Sequence, residues 1–169
     1  MNRISPNSGP QDEPGPEAGD FLDREYESTA DDDGLRLFRQ GRVRTGETAA
    51  EVCIRKTLRL SGRAIIGEIE IENTGGEAAR MVYGSEWNFS ARPEETEAAD
   101  GAILLFHRSL IFSVFPAAAI RRSSIQTVSQ SEEGFDIIHQ GTTLLPVWPC
   151  LLAAGERKVF RITLAEKAQ

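Results

Sequence analysis

The stretch TVSQSEEGFDIIHQGTTLLPVW, Thr127 to Trp148, gathers most of the side chains that could do chemistry. Adjacent carboxylates Glu132 and Glu133 suggest glycoside hydrolysis, which pairs an acid with a base or nucleophile. His139, one of two histidines with His107, has the residue type of a general acid or base near neutral pH. Gln140 beside it and Trp148, flanked by Pro146 and Pro149, are residues that bind sugar hydroxyls and stack on sugar rings. Upstream, SEWNFS sets Glu86 and Asn88 side by side on one face of a strand, with Trp87 and Phe89 directed into a core. The pattern therefore nominates Glu86, Asn88, Glu132, His139, Gln140 and Trp148 as a carbohydrate-binding set.

Each nomination has a plainer counterpart. Consecutive residues of an extended chain point to opposite sides, so Glu132 and Glu133 do not share a site merely by adjacency. With 26 acidic residues in the chain, adjacent acids are common and suit a turn. Glu86 and Asn88 over Trp87 and Phe89 also describe an ordinary half-buried strand. Trp148 serves equally as a sugar platform or as the plug of a sandwich. Nothing near either histidine resembles a nucleophile elbow or a triad.

The chain that must position these residues has 169 residues, 40% of them hydrophobic, which suits one domain with a real core. A net charge of -7 disfavours nucleic acid as a partner. No apolar run approaches the roughly 18 residues of a membrane span. The N-terminal MNRISPNSGPQDEPGPEAGD lacks the apolar segment of a secretory signal, so the expected location is the cytoplasm. There Cys53 and Cys150 are expected to be reduced. Their spacing fits no zinc site, and no cofactor is expected.

Residues 1–19 hold four of the eight prolines among Gly, Ser and acids, and read as a disordered tail. From Asp20 to Gln169 the expectation is a single β-sandwich domain. DFLDREYES reads as a short helix or an extended arm, and TADDDG as a loop. EVCIRKTLRL places Val52, Ile54, Leu58 and Leu60 on one face, interrupted by Lys56. AIIGEIEIEN alternates without fault, with Ile65, Gly67, Ile69 and Ile71 against Glu68, Glu70 and Glu72. TLLPVWPCLL is apolar but carries two prolines, which suits an edge or crossover. RKVFRITLA turns Phe160, Ile162 and Leu164 inward. No segment holds a helical period, and strands recur with turn signals between them. The predicted class is all-β, a large antiparallel sandwich.

Read together, VCIRKTLRLSG, IGEIEIENTGGE, YGSEWNFS and IQTVSQSEEGFDIIHQGTTLLPVWPCLLAAGE resemble the C-terminal β-domain of glycoside hydrolase family 57, which contains 4-α-glucanotransferases and α-amylases. The match runs from about Asp20 to Leu164. Its motifs fall on Lys56 to Leu58, Glu86 to Ser90, Thr127 to Asp136, and His139 to Gly141 with Trp148. The polar run TVSQSEEGF is the specific part, because β-patterning does not generate it. Two departures stand out: the family's tyrosine before Gln-Gly is His139, and the aromatic and proline before TVSQSE give way to Arg121–Ser124. The resemblance implies a galactose-mutarotase-like sandwich, α-glucan metabolism, and a catalytic (β/α) barrel as partner. It implies no catalytic residue in this chain, since the family's nucleophile and acid lie on the barrel.

Three functions follow. The first is a non-catalytic accessory domain that packs on a catalytic barrel or binds α-glucan or an oligosaccharide. The second is an epimerase-like enzyme using Glu86 with His139 or His107. The third is a structural or oligomerising module. In each, TVSQSEEGFDIIHQG is expected mainly to specify the fold, its polar residues satisfying buried backbone groups in a long loop and the adjoining strands.

Overall fold

A computed structural model describes residues 20–21, 24–45, 48–90, 96–99, 102–105, 110–131 and 134–166. The expected tail, residues 1–19, lies outside them, as do His107, Glu132 and Glu133. The described residues form twelve strands: β1 Glu27–Asp31, β2 Gly34–Thr45, β3 Thr48–Ser61, β4 Ala64–Asn73, β5 Ala79–Gly84, β6 Trp87–Phe89, β7 Thr96–Ala99, β8 Ala102–Leu105, β9 Leu110–Phe115, β10 Ala119–Ser131, β11 Gly134–Leu152 and β12 Arg157–Glu166. All pairings are antiparallel. The larger sheet runs β1-β2-β3-β4-β12-β9-β8-β7; the smaller runs β10-β11-β5, with β6 also on β11. The chain is the all-β antiparallel sandwich that the strand periods predict.

The core lies between the sheets. From the larger come Val52, Ile54, Ile69, Ile71, Phe112, Phe160 and Ile162; from the smaller come Ala79, Tyr83, Leu144, Trp148, Cys150 and Leu152. β4 shows why: from Gly67 onward each odd position is buried and each even one, Glu68, Glu70 and Glu72, is half-buried on the other face. Two aromatic groups bridge the layers. Tyr83 stacks on Trp148 and Phe160 at centroid distances of 6.1 and 5.6 Å. Trp87 and Phe89 meet Phe112 edge-on at 5.7 and 5.8 Å. Cys53 and Cys150 are both buried and free, and burial pushes both thiols up.

The chain changes sheet after β4, β6, β9 and β11, and Asn73 joins the first and last of these crossings. Its side-chain amide donates to the carbonyls of Glu77 (2.8 Å) and Leu152 (3.0 Å), and its Oδ1 accepts from the Gly75 amide at 3.0 Å. Its backbone N–H donates to Glu156 O and its carbonyl accepts from Gly155, both at 2.9 Å. Gly155 holds a φ of 73°, a left-handed turn conformation that suits glycine. Asn73 is fully buried, so every one of these bonds replaces a lost contact with water.

Several elements differ from the sequence reading. The chain from Thr29 to Asp31 belongs to β1 and not to a loop, because Asp31 takes the backbone amides of Asp33 and Gly34 and starts a tight hairpin. Leu60 is 80% exposed at the far end of β3, beyond the cover of the smaller sheet. β11 is an interior strand, not an edge or crossover. Its prolines are tolerated by position: Pro146 falls between the β6 pairing, which ends at Leu144↔Trp87, and the β5 pairing, which begins at Val147↔Gly84. Pro149 lies past the last β10 pair, Ala119↔Val147. TVSQSEEGFDIIHQG forms a two-stranded hairpin whose described residues are largely exposed, not a loop serving buried backbone.

Asn73→Ala should lower stability by about 2 kcal/mol in urea unfolding, because the buried Leu152 carbonyl and the part-buried Glu77 carbonyl lose their donor. Asn73→Asp should lower it further at pH 7, since a carboxylate cannot donate to either carbonyl. Stability of Asn73→Ala within experimental error of wild type would contradict the assignment.

Candidate functional site

The polar residues of SEWNFS sit on the outer face of the smaller sheet, where β6 meets β11. Asn88 stands opposite Thr143 in the register. Its amide donates to Glu86 Oε1 at 3.0 Å, and its Oδ1 accepts from the Thr143 hydroxyl at 2.7 Å. Glu86 is half-buried and Asn88 exposed, so the row Glu86–Asn88–Thr143 presents an acceptor-rich edge to solvent. Such an edge can hydrogen-bond a hydroxylated ligand. Trp87 and Phe89 take the other side and pack on the core, as alternation requires.

His139 and Gln140 lie further along β11, where the pairing with β10 shifts between Ile125 and Gln126. His139 Nδ1 is 2.8 Å from Ser124 Oγ, and the Gln140 amide donates to the Thr127 hydroxyl at 3.1 Å. Four residues separate His139 from Thr143, about 13 Å of strand. Glu86 lies beyond Asn88 on the far side, so the structure does not bring Glu86 and His139 together as an acid–base pair. Gly141 lets β6 approach closely, for a Cβ there would run into the Phe89 carbonyl oxygen.

Trp148 is corrected from ring platform to core plug. It is 3% exposed and tilted against Phe160 at 4.9 Å, and its indole N–H donates to Pro116 O at 2.9 Å. No ring face is left for a sugar. Glu132 lies outside the described residues.

A second polar group escaped the residue-type reading. Lys56 is on the inward side of β3, opposite Leu37 and Ile69. Burial pushes its ammonium down to about 8, and its Nζ lies 4.5 Å from the ring centroid of Tyr26. Burial pushes the Tyr26 phenol up to about 12. Arg39, 7% exposed, donates to Glu25 O at 3.2 Å, pairs with Asp20 at 3.7 Å and faces the Phe21 ring. Lys56 lines a groove of about 430 Å³ together with Ser28, Leu37, Phe38 and Arg55. The signal was visible as the lysine that interrupts the apolar face of β3.

Among the described residues no group of three or more His, Cys, Asp or Glu could hold a metal ion. No helix among them is long and apolar enough to cross a membrane.

Comparison with known proteins gives a consistent result. A family model described as "Alpha-amylase/4-alpha-glucanotransferase, C-terminal" matches residues 10–109 and 105–162. The 4-alpha-glucanotransferase of Thermococcus litoralis is 26% identical over 140 residues, covering 79% of this chain and 21% of that protein. The 4-alpha-glucanotransferase of Thermococcus kodakarensis is 27% identical over 157 residues, covering 89% and 22%. This chain therefore spans about a fifth of the length of these relatives. The crystal structure of the T. litoralis enzyme superposes with a TM-score of 0.71 at 23% identity, over 88% of this chain and 23% of that one. A candidate aldose 1-epimerase from Escherichia coli K12 superposes with a TM-score of 0.59 at 14% identity, over 84% and 68%, a likeness of fold.

Lys56→Met should stabilise the protein most at and below pH 8. The folded pKa is depressed, so between about 8 and 10.5 the unfolded chain binds more protons and wild-type stability rises with pH. The gap in Tm between Lys56→Met and wild type should therefore narrow from pH 8 to 10. A gap that is constant or widens over this range would contradict the buried placement of Lys56.

Proposed function

The chain belongs to the family of alpha-amylase/4-alpha-glucanotransferase C-terminal domains, and from that premise we propose that it is a non-catalytic accessory β-sandwich of α-glucan metabolism, working with a glycoside hydrolase family 57 type catalytic barrel. The observation that carries the reading is the match over nearly the whole chain to one terminal domain of proteins about four times as long. The separation of Glu86 from His139 along β11 supports it, because general acid–base catalysis needs both groups within reach of one substrate. The resemblance of fold to the candidate aldose 1-epimerase supports no activity here.

Within this role we assign Glu86 and Asn88, with Thr143 and Gln140, as a weak edge for α-glucan hydroxyls. The row's exposed acceptors and donors support that assignment. The two buried, free thiols suit a reducing compartment, the cytoplasm.

Purified chain incubated with maltooligosaccharides should show no hydrolysis or transfer. Turnover abolished by a single carboxylate substitution would overturn the accessory reading. In NMR titration with maltoheptaose, shifts should concentrate at residues 86–88 and 140–143. Glu86→Gln should weaken binding by about threefold or more while leaving the melting temperature nearly unchanged, as expected for an isosteric exchange of a half-buried side chain on the outer face. Shifts confined to the Lys56 groove would move the sugar edge to the larger sheet.

A further inference from the structure

The outer faces of the two sheets differ in kind. On the larger sheet, Arg55 pairs with Glu70 and Glu72 at 2.8 and 2.7 Å, Arg161 with Glu68 at 2.9 Å, and Arg42 with Glu51 at 3.2 Å. Alternating charges of this sort belong to a face open to water. On the smaller sheet, the outward positions of β11 are Leu145, Val147, Pro149 and Leu151, beside Val82 of β5. Leu151 is 53% exposed and Val82 54%. No Asp, Glu, Lys or Arg falls between Asp136 and Glu156. A strand apolar on both sides has the composition of one covered on both sides, yet here only the inner side is covered.

We propose that the Leu145–Leu151 face of the smaller sheet, with Val82, is the surface on which the catalytic polypeptide docks. This rests on the accessory reading above and adds the face that makes the contact. The relatives carry about four-fifths of their length outside the part matched here, which supplies a partner of sufficient size. The charges flanking the patch include Arg80, opposite Leu151, Arg121, opposite Leu145, and Glu86, one step past the Trp87↔Leu144 pair. Two arginines against one glutamate leave this rim net positive, so the fitting partner has an apolar patch with an acidic rim. Docking here would also seat Glu86 and Asn88, at one end of the same face, beside that partner.

The test co-expresses this chain with the polypeptide of the same genome that aligns with the part of the Thermococcus enzymes not spanned here. The 1:1 complex is measured by sedimentation velocity. Leu151→Glu and, separately, Val82→Glu should weaken it about tenfold or more, as for a buried interface anchor. Val159→Glu, an equivalent exchange on the outer face of the larger sheet where Val159 is 45% exposed, should leave it intact. Thermal melts identify folded variants, and two independent positions guard against loss of one. A complex broken by Val159→Glu and indifferent to Leu151→Glu and Val82→Glu overturns the docking face while the accessory reading stands. Absence of any complex with the wild-type chain overturns the accessory reading and the face with it. A wild-type homodimer dissolved by Leu151→Glu assigns the face to a second copy and overturns the proposed partner.

Discussion

One buried amide ties together two of the four places where, among the described residues, the chain passes from one layer to the other. A sandwich built from a single chain must cross between sheets, and each crossing removes backbone groups from both ladders. Here the β4-to-β5 and β11-to-β12 crossings meet at Asn73, whose side chain and backbone satisfy groups from both. β12, which leaves that junction, lies between β4 and β9 and carries Phe160 against Tyr83 and Trp148. The aromatic core follows from the crossing geometry, and the position of β11, with everything on its outer side, follows from the core.

From that frame comes the asymmetry that bears on function. The larger sheet turns its outer side to water through cross-strand ion pairs, each worth little alone but together marking a solvated surface. The smaller sheet has the Glu86–Asn88–Thr143 row at one end of its outer side and an apolar field along the rest. Lys56 and Arg39 are inward-facing cations of the larger sheet, offset by the rings of Tyr26 and Phe21. Polarity is thus distributed by sheet and by face, in a domain that belongs to a family of terminal domains of larger proteins.

Where one face was buried and the other wet, the sequence was legible. The alternation of Ile and Glu in β4 matches its burial from Gly67 onward, whereas Ile65, expected inward, is 38% exposed near the start of the strand; the Trp87/Glu86 opposition follows the same rule. Legibility failed where burial and polarity part company. The prolines of β11 suggest an edge, yet the strand is interior and its pairing gaps accommodate them. TVSQSEEGFDIIHQG looked like a segment serving a buried site because it is polar and distinctive, yet it is an exposed hairpin carrying Val128 and Ile137, 64% and 66% exposed, opposite one another. Trp148 could not be assigned without tertiary structure, since a tryptophan between prolines fits a platform and a plug equally well. Lys56 interrupts the apolar face of β3 visibly in the sequence, but its contact with Tyr26, thirty residues away, is revealed by no local pattern.

The central claim is that one outer face of this sandwich is made for water and the other for a catalytic partner. Hydrogen–deuterium exchange of the chain, free and mixed with the catalytic polypeptide of the same genome, reads both faces in a single experiment. The account predicts slowed exchange on binding along β5 and β11, over residues 80–84 and 143–151, with β3 and β12 unchanged. Protection that instead follows the ion-paired strands β3, β4 and β12, leaving β5 and β11 unaltered, would contradict it.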